Sequence, residues 1–515
     1  MTFNIASMLH PEVYDHPVKS IKLIETHISW VVLTGRFAYK IKKPVNFGFL
    51  DFSTLEKRRL CCEQELHLNR RLADAIYLDV VAITGTTDKP VISKKGDAFE
   101  YAVKMAEFPQ SAQLDNMLAA GEINVEHMDA IAHRVAAFHQ VIPVANNAMD
   151  YGSKSCVYQP VIENFVQINQ HFKKKWFTAT LDKLESWSHT EFKKLESVFE
   201  QRKYNGFIRE CHGDMHLRNL LWLDGKPLAF DCIEFNAALR WIDVISDIAF
   251  LVMDLQDRKQ PHLANRFLNT YLEVTGDYDG LLVFKFYLCY RAMVRAKVDA
   301  LRLEQESISA DETEHSFAEF SSYLELAASY IQPVKPKLIV MRGVSASGKS
   351  TVSQQLLDTT GAIRIRSDVE RKRLFNMLEE NASTEINTGI YSAQASQQTY
   401  TKLLELAEAV LRSGYSVIVD AAFLDAAQRK PFCRLAGSLA VPYIILDVTA
   451  PVEVLRKRIV QRKQGVSDAD LCVLEHQLAN SQPLHEAEMS SVVSVNTDRP
   501  LDINQLIRNI KLLEQ

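Results

Sequence analysis

The fold class read from the sequence is an α+β portion followed by an α/β portion built on a parallel sheet, and three observations carry it. From residue 337 onward, five short apolar strands (KLIVM, AIRI, SVIVDA, PYIILDV and SVVSV) alternate with helical segments, the pattern of βαβ units around a parallel sheet. Before that point the chain opens on strands (SIKLIE, ISWVVL, FAYKIKK), turns helical near LEKRRLCCEQELHLNRRL and stays mostly helical after residue 160, which makes this portion α+β with two lobes. Between the two, SYIQPVKPKLIVMRG switches from a helical apolar period to a β-branched run across Pro333 and Pro336. The domains expected are therefore 1–330 and 337–515, with residues 331–336 as linker.

Composition narrows the function classes. A chain of 515 residues, 47% hydrophobic and 24% charged with 18 Gly and 16 Pro, is neither disordered nor fibrous. Its formal charge of -5 advertises no nucleic-acid or membrane partner, and nothing in it points to a protein partner. The 8 Cys include no C-x-x-C pair, so reduced thiols are expected. The start, MTFNIASMLHPEVYDHP, lacks a basic segment leading into an apolar one, and no stretch reads as a membrane span. A cytoplasmic location is the expectation.

In the second portion, Gly343-Val344-Ser345-Ala346-Ser347-Gly348-Lys349-Ser350 fits G-x-x-x-x-G-K-[ST], with strand KLIVM before it and helix STVSQQLLD after it. Glycines let backbone N–H groups turn inward around phosphates, and a helix N-terminus adds its positive end. The expected cradle is Gly343, Ser345, Ala346, Ser347, Gly348, Lys349, Ser350 and Thr351, with Lys349 on the terminal phosphates and Ser350 holding Mg²⁺. Asp368 and Asp420 stand at carboxyl ends of strands, where open α/β sheets meet their ligands. Asp368 could take a proton from an attacking hydroxyl and Asp420 could hold Mg²⁺; each could instead cap the following helix. In EVLRKRIVQRKQG, Arg456, Arg458 and Arg462 form either a cationic cluster over the phosphates or a solvated helix face, with Arg462 the best placed.

These residues resemble the P-loop kinases that phosphorylate hydroxyls, a group that includes the 5′-kinase of polynucleotide kinase, gluconate kinase and the zeta toxins. The resemblance covers most of residues 337–515, through GVSASGKST, SDVER, VIVDAAFLDAAQR and RKRIVQRKQG. It implies Asp368 as general base, Arg371 as a substrate contact and Arg462 as the lid arginine. Where that family commonly has D-x-N or D-T-N, this chain has Asp420-Ala421-Ala422-Phe423, which removes a polar substrate contact.

In the first portion, Cys211-His212-Gly213-Asp214-Met215-His216-Leu217-Arg218-Asn219 precedes LAFDCIEF, which carries Asp231. An Asp and an Asn five residues apart, then a strand-borne Asp, reproduce the spacing of a kinase catalytic loop and its metal-binding Asp. Asp214 would orient or deprotonate the acceptor hydroxyl, Asn219 and Asp231 would hold Mg²⁺, and His212 would fix the loop. Phe37-Ala38-Tyr39-Lys40 reads like the V-A-I-K strand, with Glu65 placed to pair with Lys40; Lys42 and Glu63 are the alternatives. Strand alternation puts Lys40 and Lys42 on one side, so either lysine could serve. His216 and Cys211 lack further ligands at coordinating spacing, and Cys61 and Cys62 read as buried thiols. On YLCYRAMVRAKVDALRL, Tyr287, Arg291 and Arg295 share one face, either lining an acceptor pocket or solvated.

This order resembles the aminoglycoside phosphotransferase and choline kinase branch of the kinase-like fold, over roughly residues 20–310. It implies a lobe connector at Lys104-Met105-Ala106-Glu107-Phe108, a helix ending AAFHQ, and Asp243 and Asp247 bracing the catalytic loop. The expected nucleotide loop near ETHIS has no glycine. Together the two resemblances imply an α+β bilobal kinase-like domain followed by an α/β P-loop NTPase domain with a parallel sheet. The chain as a whole is similar to bacterial fusions of that architecture.

The function expected is that of an ATP-dependent phosphotransferase with two nucleotide sites, using ATP and Mg²⁺ to phosphorylate hydroxyl groups of small molecules. Two alternatives stand beside it. One is a nucleotide-gated regulator whose N-terminal domain binds without catalysis, favoured by the missing glycine near Thr26. The other is a nucleic-acid 5′-end kinase or zeta-like toxin in the P-loop domain, against which the near-neutral charge argues.

Overall fold

The structure, a computed structural model, describes residues 3–46, 50–93, 96–171, 175–304, 309–375, 392–461 and 471–513. The chain forms two compact units, Met1–Asp257 with Phe286–Ala327, and Arg258–Lys285 with Ala328–Gln515. The second unit thus extends the span 337–515 expected from sequence by residues 258–285 and 328–336.

In the first unit, β1 (Lys22–Glu25), β2 (Ser29–Leu33), β3 (Phe37–Lys42), β4 (Tyr77–Thr86), β5 (Lys89–Ile92) and β6 (Glu100–Ala106) form an antiparallel sheet ordered β1-β2-β3-β6-β4-β5. Between β3 and β4 runs α1 (Leu55–Ala73), capped by Thr54, whose hydroxyl accepts from Lys57 N at 3.2 Å. Its buried positions Arg58, Cys62, Glu65, Asn69 and Leu72 recur at three- and four-residue steps, so one face carries both packing and polar groups to the sheet. Alternation divides β3: Tyr39 and Ile41 enter a core with Met8, Val13, Tyr14 and Val32, while Ala38 packs with Cys62, Val103 and Met105. Lys40 and Lys42 therefore share the face that α1 covers.

The rest of this unit is helical with two short sheets. It contains α2 (Leu114–Ala119), α3 (Val125–Val141), α4 (Lys154–His171) and α5 (Lys175–Tyr204), then β7 (Ile208–Glu210), β8 (Leu220–Leu223), β9 (Lys226–Ala229), β10 (Trp241–Asp243) and α6 (Val244–Asp257). β7 pairs with β10, and β8 with β9, both antiparallel. Beyond α7 (Pro261–Thr275), which lies in the second unit, come α8 (Leu281–Arg302) and α9 (Ala310–Tyr330).

All five strands expected in the second unit form: β11 (Leu338–Arg342), β12 (Ile363–Arg366), β13 (Val417–Asp420), β14 (Tyr443–Thr449) and β15 (Val492–Asn496). They are parallel and ordered β12-β13-β11-β14-β15. Around them run α10 (Lys349–Thr360), α11 (Ser367–Leu374), α12 (Ala393–Arg412), α13 (Ala426–Ser438), α14 (Val452–Gln461), α15 (Leu471–Asn480) and α16 (Ile503–Leu512). Ile339, Met341, Ile444 and Leu446 from the sheet pack with Val352 and Leu356 of α10 and Leu506 and Ile510 of α16. Burial on both faces explains why these strands read as unbroken apolar runs. The chain order reverses at β11, so the loop after it opens into the crevice where such sheets bind ligands.

α7 seals the free edge of β12. Asn269 accepts the Arg364 N–H at 2.8 Å through Oδ1 and donates to Ala362 O at 3.2 Å through Nδ2, taking the place of a sixth strand at an edge that would otherwise be open.

Candidate active sites

In the first unit, the β3 lysines and the α1 glutamate meet as the register requires. Lys40 Nζ donates to Glu65 Oε1 at 2.8 Å and also reaches Asp231 Oδ1. Lys42 Nζ pairs with Glu65 Oε2 and with Glu234. One carboxylate thus serves both lysines, and burial separates their roles: Lys42 is 0% exposed, whereas Lys40 opens toward Asp231. Burial pushes the Glu65 carboxyl up, but Lys40 and Lys42 outweigh it and lower it to about 2. For Glu234 burial wins, and its carboxyl is raised despite Lys42. Glu63 lies outside this cluster, exposed and paired with Arg59 at 3.0 Å.

The loop from Cys211 to Asn219 is fixed on all sides. Asn219 Nδ2 donates to Asp214 O at 3.0 Å and to Asp214 Oδ2 at 2.9 Å, uniting the two residues that the sequence set five apart. The His212 ring spans from Phe230 O, 2.9 Å from Nε2, to the Asp214 N–H, 3.3 Å from Nδ1. Burial lowers its pKa and favours the neutral ring. Burial raises the Asp214 carboxyl, but His216, His212 and Arg295 together hold it below the usual carboxylate range.

Gly213 has φ +87, and a Cβ there would sit 2.7 Å from Leu239 O, which is why glycine stands between His212 and Asp214. Asp231 is also left-handed, at φ +62, a strain of order 1–3 kcal/mol of the kind that persists where surroundings over-determine it. Here Tyr77 Oη accepts its N–H at 3.1 Å, and Asn69 Oδ1 accepts that of Cys232 at 2.8 Å.

Asp247 braces the loop, accepting the His212 N–H at 3.1 Å and the Gly213 N–H at 2.8 Å. Asp243 does something else: it binds Arg202 of α5 through both oxygens, at 2.6 and 2.9 Å. Asp254, which the sequence reading missed, accepts the Leu217 N–H at 2.8 Å. Its spacing of seven residues from Asp247, two turns on the same helical face, was a usable signal. Arg291 is buried and donates to Gly213 O and Ser246 O, both at 3.1 Å, so it neither lines a pocket nor faces solvent. His139, Cys211 and Asp247 cluster closely enough for a metal ion, but the Asp247 oxygens already bond the loop and His139.

In the second unit, a cavity of about 810 Å³ is lined by Lys349, Ser350, Asp368, Arg371, Asp420 and Arg458, among others. The glycine loop enters it after β11. Gly343 has φ +151, and a Cβ there would lie 2.4 Å from Val448 O. Lys349 Nζ donates to Gly343 O and Val344 O, both at 2.8 Å, folding back over the loop. Ser345, Ala346, Gly348 and Thr351 also line the cavity. The N–H groups of Gly343 and Ser347 are spent on Ala422 O and Val344 O, at 3.0 and 3.2 Å, so these two shape the loop. Gln477 on α15, unforeseen from the sequence, accepts the Ser345 N–H at 2.6 Å.

Asp368 and Asp420 face this cavity instead of capping helices. Neither caps: α11 starts without a side-chain cap, and Asp425 caps α13. Burial raises the Asp368 carboxyl against the pull of Arg371 and Arg366. Asp420 Oδ2 accepts from Ser353 Oγ at 3.0 Å. The arginine cluster divides: Arg456 is exposed and pairs with Glu475 at 2.8 Å, while Arg458 donates to Ala346 O at 3.2 Å and to Thr497 O at 2.7 Å, tying the loop to the residue that follows β15. Arg462 lies outside the described residues. In the Asp420-Ala421-Ala422-Phe423 departure, the aromatic ring goes into the core against Tyr400 and Phe432, and Arg429 holds Phe423 O at 2.9 Å.

The donors available to a cation are all oxygens: the Asp231 carboxylate and Asn219 amide in one unit, the Ser350 hydroxyl and Asp420 carboxylate in the other. That set suits a hard ion such as Mg²⁺.

A kinase-type catalytic loop in one unit and a phosphate-binding loop in the other define a phosphotransferase enzyme. Residues 126–284 match the phosphotransferase enzyme family and residues 338–484 match an AAA domain. Uncharacterized proteins of Mycobacterium tuberculosis and Mycobacterium bovis are 32% identical to the chain over 464 residues, 89% of each sequence. The chain belongs to their family, which joins an aminoglycoside phosphotransferase-like domain to a P-loop kinase domain. Among solved structures, a sugar kinase from Janibacter is 23% identical, covering 35% of this chain and 94% of its own, with a TM-score of 0.27. A putative aminoglycoside phosphotransferase from Ralstonia eutropha is 13% identical, covering 64% and 98%, with a TM-score of 0.39. Among the described residues, no helix is long and apolar enough to cross a membrane.

Proposed function

We propose that the chain transfers the γ-phosphoryl group of ATP to hydroxyl groups of small molecules at two nucleotide sites, one in each unit, with Mg²⁺ held at both. The observation that carries this reading is the convergence of Lys349, Ser350, Asp368 and Asp420 on one cavity of about 810 Å³, which offers a phosphate cation, a metal donor pair and a base together. In the second unit Asp368 takes the acceptor proton; its raised carboxyl lies nearer neutrality, where a base works best. In the first unit Lys40, oriented by Glu65, binds the phosphates, Asn219 and Asp231 hold the metal, and Asp214 receives the acceptor hydroxyl.

The test is ADP release by the full chain across metabolite, sugar and aminoglycoside pools, with Lys349→Ala and Asp214→Asn variants. Each variant should remove a separable part of the turnover. If neither lowers it, both assignments fall.

One observation favours a regulatory first unit. The turn from Thr26 to Ser29 is closed by Thr26 N to Ser29 O at 2.9 Å and Ser29 N to Thr26 Oγ1 at 2.9 Å, which takes both of these backbone N–H groups away from a phosphate. MgATP binding by Lys349→Ala protein with no phosphorylated product from any pool would establish that reading.

A further inference from the structure

Glu273 lies on α7, inside the segment matched to the phosphotransferase family, yet α7 folds with the P-loop unit. Its carboxylate faces two arginines of β12. Oε1 accepts from Arg366 Nη1 at 2.7 Å and Oε2 from Arg364 Nη2 at 3.2 Å. From Arg364 the chain of contacts continues through Nη1 to Ser353 Oγ at 3.4 Å, and from Ser353 to Asp420 Oδ2 at 3.0 Å. Arg366 pairs with Asp420 in the strand register and lines the cavity two residues before Asp368. One carboxylate from outside the matched P-loop segment is thus linked to the surroundings of both acidic groups.

The helix is held firmly enough for this role. Besides the Asn269 bonds to β12, Asn265 Nδ2 donates to Asp358 O at 2.9 Å, and Arg373 of α11 reaches Glu273 O. Without Glu273, the Arg366 guanidinium would be drawn to Asp368 and Asp420, the carboxylates that share its surroundings.

We propose that Glu273 is a positioning residue of the P-loop site, which fixes Arg366 in the cavity wall and, through Arg364 and Ser353, orients Asp420. The inference rests on the reading of that cavity as a phosphoryl-transfer site. It makes the P-loop kinase dependent on a helix encoded before the linker.

The probe is MgATP with water as acceptor, and the Lys349→Ala-sensitive part of the hydrolysis by the full chain defines the site. In that step the bond from the γ-phosphorus to the β-bridging oxygen breaks, a bond to the water oxygen forms, and the water proton passes to Asp368. Glu273→Gln should lower this hydrolysis about tenfold, with the MgATP Kd from calorimetry within threefold of the parent. Glu273→Asp should recover most of it. Arg366→Gln should cost a similar factor, and the double variant Glu273→Gln/Arg366→Gln no more than the larger single loss, because residues acting as one unit are not additive.

Hydrolysis by Glu273→Gln within twofold of the parent, or losses that multiply in the double variant, would overturn the proposal. If Glu273→Gln does not fold, Arg366→Gln decides alone: unchanged hydrolysis overturns the proposal, and a tenfold loss at unchanged Kd upholds it. Asp368→Asn separates the two levels: its indifference refutes the reading of the cavity and the role of Glu273 with it, whereas with Asp368→Asn inactive an indifferent Glu273→Gln refutes Glu273 alone.

Discussion

Replacing Lys42 and Lys40 by methionine, one at a time, should damage the first unit in two different ways. Lys42 is 0% exposed and bonded to Glu65 and Glu234, themselves at most 3% exposed. Lys42→Met leaves two buried carboxylates sharing what remains of the positive charge on Lys40. Removing one partner of a buried pair costs about 3–5 kcal/mol, which for a unit of roughly 300 residues lowers its Tm by about 5–8 °C. The deficit should shrink as pH falls toward 5, because burial already raises the Glu234 carboxyl, and protonating it removes the uncompensated charge. Lys40→Met removes the bond to Glu65 and the group that reaches Asp231, but leaves Glu65 and Glu234 each paired with Lys42. Its Tm should stay within about 2 °C of the parent, while turnover assigned to Asp214 is lost. Calorimetric melting at pH 5 and 8, with ADP release on the same samples, checks both. Equal Tm losses in the two variants, or a Lys42→Met protein that melts like the parent, would refute the division of labour.

Gly213→Ala adds a Cβ 2.7 Å from Leu239 O at a φ of +87; a cost of about 1–2 kcal/mol for the backbone alone should appear as a lower Tm together with loss of the Asp214-dependent turnover. Arg429 is fully buried and bonded to Glu488 at 2.7 and 2.9 Å. Arg429→Met should destabilise the second unit by about 2–3 kcal/mol, because Glu488 retains some solvent. Arg429 lowers the Glu488 carboxyl, so the parent's advantage over the variant should be full above the ordinary value of 4.5 and fade as pH falls below it, as read by urea melts at pH 7 and 4. Asp368→Asn should reduce Lys349-dependent turnover about 10²- to 10⁴-fold, and the parent's acid limb should lie above the ordinary carboxylate value of 3.8, as read in a pH–rate profile.

Much of the second unit was legible because its signals are local. Five apolar runs became five parallel strands, and the glycine loop between KLIVM and its helix could only enter the crevice at the strand ends. The spacing from Asp214 to Asn219 likewise survived as a direct hydrogen bond, because both sit on one short loop. What spacing left open was decided by depth. Lys40 and Lys42 share a face, so alternation allowed either; only the packing of α1 buries Lys42 completely and turns Lys40 toward Asp231. Asp243 and Asp247 are similar in sequence position, yet Arg202 of α5 claims the first and the loop N–H groups the second.

By itself the sequence determined that this is a chain of two kinase-type parts, one with the spacing of a kinase catalytic loop and the other with a glycine-rich loop between a strand and a helix, because strand alternation, loop glycines and loop spacing act over a few residues. Only the tertiary structure decided which lysine meets the site, which acidic groups brace it, and that α7 belongs to the P-loop unit. Those choices depend on groups brought together from distant positions, 35 apart for His212 and Asp247 and 91 and 93 apart where Glu273 meets Arg364 and Arg366. No periodicity records such contacts, since they arise when sheet edges and buried charges find partners as the whole chain packs.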